Sequence, residues 1–305
     1  MGRRMLAVRP RCEMPKCRLC LQEKDLLESH LIPAFIFRWM KQNGPTPFLR
    51  YSNELTRRVQ DGLKDRWLCK DCEGLLNAYE TPFSQAFHAL VLNREAKIAY
   101  GAWLLKFCVS LSWRVMAFHG QDQRPELVAK AAGAVKHWAA FLRDETGSPG
   151  PYRNYFVHTF DLPESLLYFG KSRGIYVPPN LNRDCHNFTE FDVAASRSML
   201  FVYTKTGPFA TFGILIGDEK WIGADIKVKG GILAPKRYRM PESIACYLID
   251  RASKANQLRP KMSSAQITHL EKALSDHPTR AVERRSILAL DADVKMFGID
   301  TVFGR

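Results

Sequence analysis

The pattern of apolar and polar residues changes near residue 146. In residues 73–118, apolar side chains recur at three- and four-residue steps, which predicts helices. Pro82 should kink or divide that run, because proline lacks the amide hydrogen that a helix interior needs. A further helix is predicted over residues 125–143. Residues 146–151, TGSPGP, oppose both helix and strand, so we expect a domain boundary there.

Beyond this break the chain carries short β-branched and aromatic runs, which predict an antiparallel sheet: YFVHTF, GIYVP, SMLFVYT, FATFGILIG and DIKVKG. Two of these runs should form a hairpin that turns at residues 206–208. Helices are expected to start at Pro241 and near Ser263, where a capping box begins. The last twenty residues are ambiguous between strand and coil.

These elements predict an α+β fold. An N-terminal arm, residues 1–14, should precede a module of residues 15–146 that binds zinc and continues into helices. Residues 152–305 should form an α+β domain in which helices flank the antiparallel sheet. With 305 residues and 46% hydrophobic content, the chain has enough apolar material for a sizeable core.

The net charge and the N-terminal sequence limit the partners and the compartment that we expect for this protein. Lys and Arg outnumber Asp and Glu by 45 to 31, a formal net charge of +14. Such an excess favours contact with polyanions, although it could serve solubility alone. The basic N-terminal arm lacks a signal-peptide pattern, which predicts a cytoplasmic protein. Residues 99–118 are apolar, but Lys106 and Arg114 interrupt them, which favours a buried helix with two cations reaching solvent over a membrane span.

Four of the eight cysteines form two Cys-x-x-Cys pairs, Cys17 with Cys20 and Cys69 with Cys72. Two intervening residues let a tight turn aim both sulfurs at one ion. Because Cys72 precedes a helical pattern, it should lie in a first helical turn, where the helix dipole stabilises thiolate. A knuckle plus a helix N-terminus is the ligand arrangement of a treble-clef finger. The spacing therefore predicts a structural zinc site; the alternative is two reduced cysteine pairs without metal.

Basic residues interleave with aromatic residues around the cysteine pairs, among them Phe48, Tyr51 and Trp67. Arginine and aromatic rings together suit phosphate contact and base stacking. Nucleic acid, DNA rather than RNA, is therefore the expected partner, and a solvated basic face is the alternative. The candidate contact residues are Arg50, Arg57, Arg58, Lys64, Arg66 and Lys70.

The order of three motifs, C17-R-L-C20, S29-H30-L31-I32-P33 and L68-C69-K-D-C72-E73, resembles the HNH nucleases. These ββα-metal, or His-Me finger, enzymes include members that carry a treble-clef zinc. The resemblance covers residues 12–95. It implies a ββα-metal fold at the N-terminus and hydrolysis of phosphodiesters.

The resemblance assigns roles to individual residues. His30 matches the general base, since an imidazole that is partly neutral at pH 7 can accept a proton from water. Glu73 stands where the family has a metal-binding His or Asn, and its carboxylate suits Mg²⁺ or Mn²⁺. Ser29 departs from the acidic or His metal ligand that usually precedes the base. Lys64 and Asp65 stand where an Asn that orients the histidine is expected.

The leading hypothesis is thus a zinc-stabilised endonuclease that uses Mg²⁺ or Mn²⁺. Two alternatives stay open. The protein could be a zinc-finger protein that binds nucleic acid without cleaving it, as the departures at Ser29 and the missing Asn would favour. It could also be a zinc-stabilised adaptor whose sheet domain binds another protein.

Overall fold

The computed structural model describes residues 14–43, 49–50, 58–92, 97–119, 125–187, 189–217, 219, 221–234, 238–258, 265, 268 and 285–303. Helices flank antiparallel sheets, so the α+β class is confirmed. Residues 1–13 of the N-terminal arm lie outside these ranges, and of the helix predicted near Ser263 only residues 265 and 268 are described, both as helix. The boundary predicted at residues 146–151 stays a prediction.

A strand pair followed directly by a long helix forms the N-terminal part. In antiparallel register, Leu26 faces Cys69 and His30 faces Lys64. The second strand ends at the residue before the helix begins, so Cys69 and Cys72 lie on either side of that junction. The elements in chain order are β1 (Leu26–His30), α1 (Ala34–Asn43), β2 (Leu49–Arg50), β3 (Arg58–Val59), β4 (Lys64–Cys69) and α2 (Lys70–Leu92).

The helix α2 continues through Pro82, so of the two effects predicted for this proline, the division is wrong and the kink stays a prediction. Buried Tyr79, Phe83 and Phe87 lie on both sides of the proline. Their packing holds the helix together where one backbone hydrogen bond is lost, because tertiary contacts override local propensity.

Helix α3 (Ala102–His119) runs through the centre of the protein, and α4 (Pro125–Leu142) packs beside it. The prediction of a buried helix is confirmed, but its two cations do not reach solvent. Lys106 is 7% exposed and Arg114 is 2% exposed. Each is held by a carboxylate distant in sequence, Asp144 and Glu80 respectively. None of the described helices is long and apolar enough to cross a membrane.

A four-stranded antiparallel sheet in the order β6-β9-β8-β7 forms the C-terminal part. The predicted hairpin is confirmed, with Gly207 at φ +69° in its turn. The strands are β6 (Asn154–His158), β7 (Thr189–Ala195), β8 (Leu200–Thr206) and β9 (Phe209–Ile216). Two shorter strands, β5 (Ile98–Tyr100) and β10 (Gly231–Leu233), pair with each other.

The sheet is buried on both faces, since side chains alternate along each strand. Phe156 of β6 joins a core shared with α2 and α3, while its neighbours Tyr155 and Val157 join a second core on the opposite face. Helices pack on that second face: α5 (Leu162–Arg173), α6 (Leu181–Asn187), α7 (Glu242–Leu258) and α8 (Arg285–Phe297). The short helix α9 (Ile299–Phe303) packs against α8 and has no buried residue. The start of α7 confirms the helix predicted at Pro241.

Three predictions were wrong here. The segment GIYVP has no strand, and DIKVKG makes one isolated bridge, from Asp225 to Tyr155. Val177 is buried, but Tyr176 is 69% exposed and Val228 is 38% exposed, so neither segment packs as a strand of the sheet. The C-terminal stretch is helical. Its fully buried Asp293 accepts hydrogen bonds from Asn182 and Arg183, which hold this helix against α6.

An aromatic cluster joins the cysteine-containing part to the sheet. Phe83 of α2 stacks on Phe107 of α3, with ring centroids 4.1 Å apart. It also contacts Phe209 of β9 edge-on at 5.9 Å, and Phe209 stacks on Phe156 at 5.3 Å. At the hairpin turn, a Cβ on Gly207 would lie 2.8 Å from the Trp39 ring of α1. The two parts therefore share one continuous core.

Candidate functional site

The four cysteines of the two Cys-x-x-Cys pairs come together as predicted. Their sulfur atoms all lie within 4.8 Å of one another. The sulfurs of Cys20 and Cys69 are 3.9 Å apart. Zinc bonds of about 2.3 Å to four sulfurs in a tetrahedron put neighbouring sulfurs about 3.8 Å apart. The cluster therefore fits a metal ion such as zinc.

Local hydrogen bonds build this cluster. Residues 17–22 form a tight turn in which the amide of Leu21 donates to Cys17 O at 2.8 Å, with Leu21 at φ +62°. The amide of Cys69 donates to the Cys17 sulfur at 3.4 Å, so strand β4 stabilises negative charge on the first pair. Arg143, at the end of α4, donates to Leu19 O and secures the turn.

The cysteine pKa values show why a cation suits the cluster. Burial alone would raise the pKa of Cys17, but backbone amide hydrogen bonds outweigh it and lower the value to about 7. Burial raises the pKa of Cys72, and the neighbouring Cys17 thiolate raises it further. Close thiolates repel one another, and a divalent ion removes that conflict by binding all four.

A cavity of about 340 Å³ lies beside this cluster, where the end of β1 meets α1, α2 and α3. It brings together His30 and Glu73, the two residues to which the HNH resemblance assigns catalytic roles. Its lining residues are His30, Pro33, Ala34, Phe35, Arg38, Glu73, Asn77, Glu80, Thr81, Ser84 and Arg114.

His30 is oriented by an acidic residue that the sequence analysis missed. The Nε2 atom of His30 lies 2.8 Å from Oδ2 of Asp61. Burial alone would raise the pKa of Asp61, but hydrogen bonds from His30 and from the Gly62 amide outweigh it and hold the value below its usual range. If Nε2 carries the proton that Asp61 accepts, Nδ1 is left as a proton acceptor.

The turn that carries Asp61 is packed tightly against α1. A Cβ on Gly62 would lie 2.1 Å from the Phe37 ring, so only glycine fits there. The ring of Phe37 also lies beside the His30 imidazole, with centroids 6.5 Å apart. An Asp-Gly pair just before the strand that pairs with β1 was the available sequence signal, but it indicated only a turn.

Glu73 lies in the first turn of α2 and directs a carboxylate towards the cavity. Among the residues that the structure describes, its buried Oε2 atom has no hydrogen-bond partner. Asn77 and Glu80 follow at four and seven residues, on the same side of the helix. Within the described ranges, the cysteine cluster is the one group of three or more His, Cys, Asp or Glu that could share an ion.

The residues at the two departing family positions lie next to His30 or opposite it, but their side chains contact other groups. Ser29 is fully buried, and its hydroxyl donates to Leu27 O at 3.5 Å. Lys64 pairs with Glu28 at 3.3 Å and with Asp61 at 3.4 Å. Asp65 accepts a hydrogen bond from its neighbouring amide and lies 3.7 Å from Arg18. The orienting role expected of this segment is thus taken by Asp61.

The predicted nucleic-acid contacts are only partly described. Lys70 is exposed at the start of α2, while the Arg66 side chain is held against Leu26 O by two hydrogen bonds. Arg50 faces Arg58 across the β2–β3 pair. The side chains of these two arginines, and all of Arg57, lie outside the described residues.

Comparison with protein-family models, with curated proteins and with solved structures found no significant match in any of the three. The likeness to HNH nucleases therefore rests on the motif residues alone and stays a prediction.

Proposed function

We propose that the protein is an endonuclease that depends on a divalent metal ion and is stabilised by a structural zinc ion. One observation carries the proposal. A histidine bonded to a carboxylate and a glutamate with a buried, unpartnered oxygen line the same cavity. Hydrolysis of a phosphodiester needs a base and a centre of positive charge, and this cavity offers residues for both.

His30 is the general base of the proposed reaction. Its imidazole is partly exposed, so water can reach it, and the bond to Asp61 fixes the ring orientation. A carboxylate on one ring nitrogen also stabilises the imidazolium that forms when the other nitrogen accepts a proton. Asp61 is therefore a positioning residue.

Glu73 is the proposed ligand of Mg²⁺ or Mn²⁺. An unpaired buried carboxylate oxygen is costly, and a cation would satisfy it. Mg²⁺ binds through one or two carboxylates and keeps several waters or substrate phosphate oxygens as further ligands. A site with Glu73 as its carboxylate ligand and Asn77 as a second oxygen ligand matches this ligand set. When bound, the ion would stabilise negative charge on the phosphate.

In the proposed reaction, His30 removes a proton from a water molecule as the water oxygen attacks phosphorus. A new oxygen–phosphorus bond forms, and the bond from phosphorus to the leaving sugar oxygen breaks. The leaving oxygen takes a proton from solvent, and His30 later returns its proton. The products are two shorter strands, one of which ends in a phosphate and the other in a hydroxyl.

The zinc ion is structural in this proposal. Four cysteine ligands leave no open position for water, which is the pattern of structural rather than catalytic zinc. The site joins β4 and α2 to the turn at residues 17–22. It thereby fixes the helix that carries Glu73 relative to the strand that carries His30.

Nucleic acid, DNA in preference to RNA, is the proposed substrate. The net charge of +14 supports it, since phosphate contacts release counterions and strengthen binding. The logarithm of affinity should therefore fall linearly with the logarithm of salt concentration. Replacing the exposed Lys70 by Gln should make that slope shallower, whereas a slope near zero for the wild type would contradict this partner.

Non-catalytic binding of nucleic acid is the second candidate. It is favoured by the finding that, within the described ranges, no carboxylate or histidine cluster accompanies Glu73 as a ready-made metal site. Both candidates share the zinc ion and the basic surface. They differ in whether His30 matters to the chemistry.

Cleavage assays decide between the two candidates. Plasmid DNA and RNA would be incubated with the wild type and with His30→Ala and Glu73→Gln across a series of Mg²⁺ and Mn²⁺ concentrations. His30→Ala should slow cleavage by about 10²–10⁴-fold, the usual contribution of a general base. Glu73→Gln should raise the metal concentration required for half-maximal rate.

His88→Ala is the matched control, because His88 is an exposed histidine on α2 outside the cavity. It should cleave like the wild type. Cleavage by His30→Ala at the wild-type rate would rule out the proposed base. Binding of both substrates with no cleavage in any metal would establish the non-catalytic candidate.

A further inference from the structure

Arg114 is a buried cation whose hydrogen-bonding capacity is mostly unused. Its side chain is 2% exposed, yet it lines the cavity that also contains His30 and Glu73. One nitrogen, Nη2, donates to Oε1 of Glu80. Among the described residues, Nε and Nη1 have no hydrogen-bond partner. A guanidinium stays charged at all ordinary pH values, so these donors lack the acceptors that a buried charge requires.

A purely structural ion pair does not account for this geometry. Arginine and a carboxylate pair best through two parallel hydrogen bonds, but Glu80 engages a single nitrogen. The unused Nε and Nη1 atoms carry three N–H groups between them. Phosphate oxygens are acceptors that arginine commonly binds.

The charge of the cavity also favours an anion once a metal ion is bound. Arg38 and Arg114 contribute two positive charges, while Glu73 and Glu80 contribute two negative charges. The protein groups therefore sum to zero, and a divalent ion at Glu73 leaves a surplus of two positive charges. A phosphodiester group carries one negative charge and would reduce that surplus.

We propose that Arg114 binds the phosphate group of the substrate through N–H groups that no protein acceptor uses, and that Glu80 holds the guanidinium in place. The role of this contact in cleavage rests on the proposed nuclease function, whereas phosphate binding itself does not. Arg114 lies on α3, outside residues 12–95, to which the HNH likeness is confined. The residue that would bind phosphate therefore comes from α3, and not from the segment that resembles the HNH nucleases.

Calorimetric titration of the protein with inorganic phosphate, in the presence of Mg²⁺, tests this contact. The wild type should bind one phosphate per chain. Arg114→Lys keeps the charge and can still pair with Glu80, but an ammonium has fewer N–H donors and no fixed planar geometry, so its affinity for phosphate should fall at least about tenfold. Glu80→Gln removes a competing negative charge and should tighten binding severalfold.

Arg251→Lys is the matched control, because Arg251 is a partly buried arginine that pairs with Glu190 and Asp192 on the other side of the sheet. It should bind phosphate like the wild type. Thermal melting of every variant would check folding. If Arg114→Lys melts much earlier than the control, Glu80→Gln carries the test, and failure of that variant to bind more tightly overturns the proposal.

Other outcomes are equally decisive. Absence of phosphate binding by the wild type, or equal binding by Arg114→Lys and Arg251→Lys, overturns the assignment of Arg114. Phosphate binding that Arg114→Lys weakens, in a protein that cleaves no nucleic acid, supports the assignment and refutes the nuclease function. If the wild type cleaves nucleic acid but Arg114→Lys binds phosphate as tightly as the wild type, the nuclease function is supported and the assignment of Arg114 is refuted.

Discussion

Replacing Cys69 by serine should remove the metal ion and much of the stability together. Cys69 is 1% exposed and lies at the junction of β4 and α2. A serine hydroxyl is a poor substitute for a thiolate ligand of zinc. Structural zinc contributes about 10–16 kcal/mol of apparent binding free energy in small zinc-finger peptides, whereas a whole domain is stable by only about 5–15 kcal/mol. Loss of the ion should therefore lower the free energy of unfolding by several kcal/mol.

Cys108→Ser separates metal loss from the simple effect of burying a hydroxyl. Cys108 is 0% exposed in α3 and lies outside the cysteine cluster. Its replacement should cost about 1–3 kcal/mol, the penalty for burying a hydroxyl group without full hydrogen bonding. The metal content should stay at one ion per chain.

Elemental analysis of the purified proteins would give the metal content, and urea denaturation would give the free energy of unfolding. Cys246→Ser, at an exposed cysteine, should match the wild type in both measurements. The reasoning is refuted if Cys69→Ser retains one zinc per chain, or if Cys108→Ser loses metal to the same extent.

Three further predictions concern side chains around the cavity and the core. Asp61→Asn should lower the rate constant for cleavage, because the His30 ring loses its charged partner. It should also destabilise the protein near pH 7. Since the folded pKa of Asp61 is depressed, that stabilisation is present above its unfolded pKa of about 3.9 and is lost as the pH falls through the folded value, so urea titrations of the two proteins should converge in acid. Gly62→Ala should lower the free energy of unfolding by about 1–3 kcal/mol, because its Cβ overlaps the Phe37 ring, and calorimetric melting of Gly62→Ala combined with Phe37→Leu should show partial recovery. Lys106→Met should change stability by no more than about 1 kcal/mol in urea unfolding, because Asp144, its partner, is 70% exposed on its side chain and stays hydrated when unpaired.

The sequence anticipated those features that depend on residues close together in the chain. The Cys-x-x-Cys spacing brought each sulfur pair to the cluster, and the β8–β9 hairpin turns where glycine follows Thr206. Helix α7 likewise begins just after Pro241. In each case a few neighbouring residues restrict the backbone strongly, so local chemistry is sufficient.

Features that depend on distant partners could not be inferred in the same way. Asp61 orients His30 across 31 residues, and Glu80 meets Arg114 across 34. Lys106 and Arg114 were expected to reach solvent because the sequence does not reveal which carboxylates fold against them. The sequence did not predict helix α8, because Asp293 interrupts the apolar side of that helix. The sequence does not show that the backbone amides of residues 182 and 183 donate to this aspartate in the fold.

The aromatic cluster around Phe83 limits how this protein can be rearranged. A module that is combined with other domains must fold after excision. Here, cutting the chain near residue 150 would remove Phe156 and Phe209 from Phe83, and Phe209 from Phe87, and would expose these rings to water. A fragment that ends there should be insoluble or prone to aggregate. Transfer of the cysteine-containing part into another protein, by evolution or by engineering, would have to include β6 and the hairpin of β8 and β9.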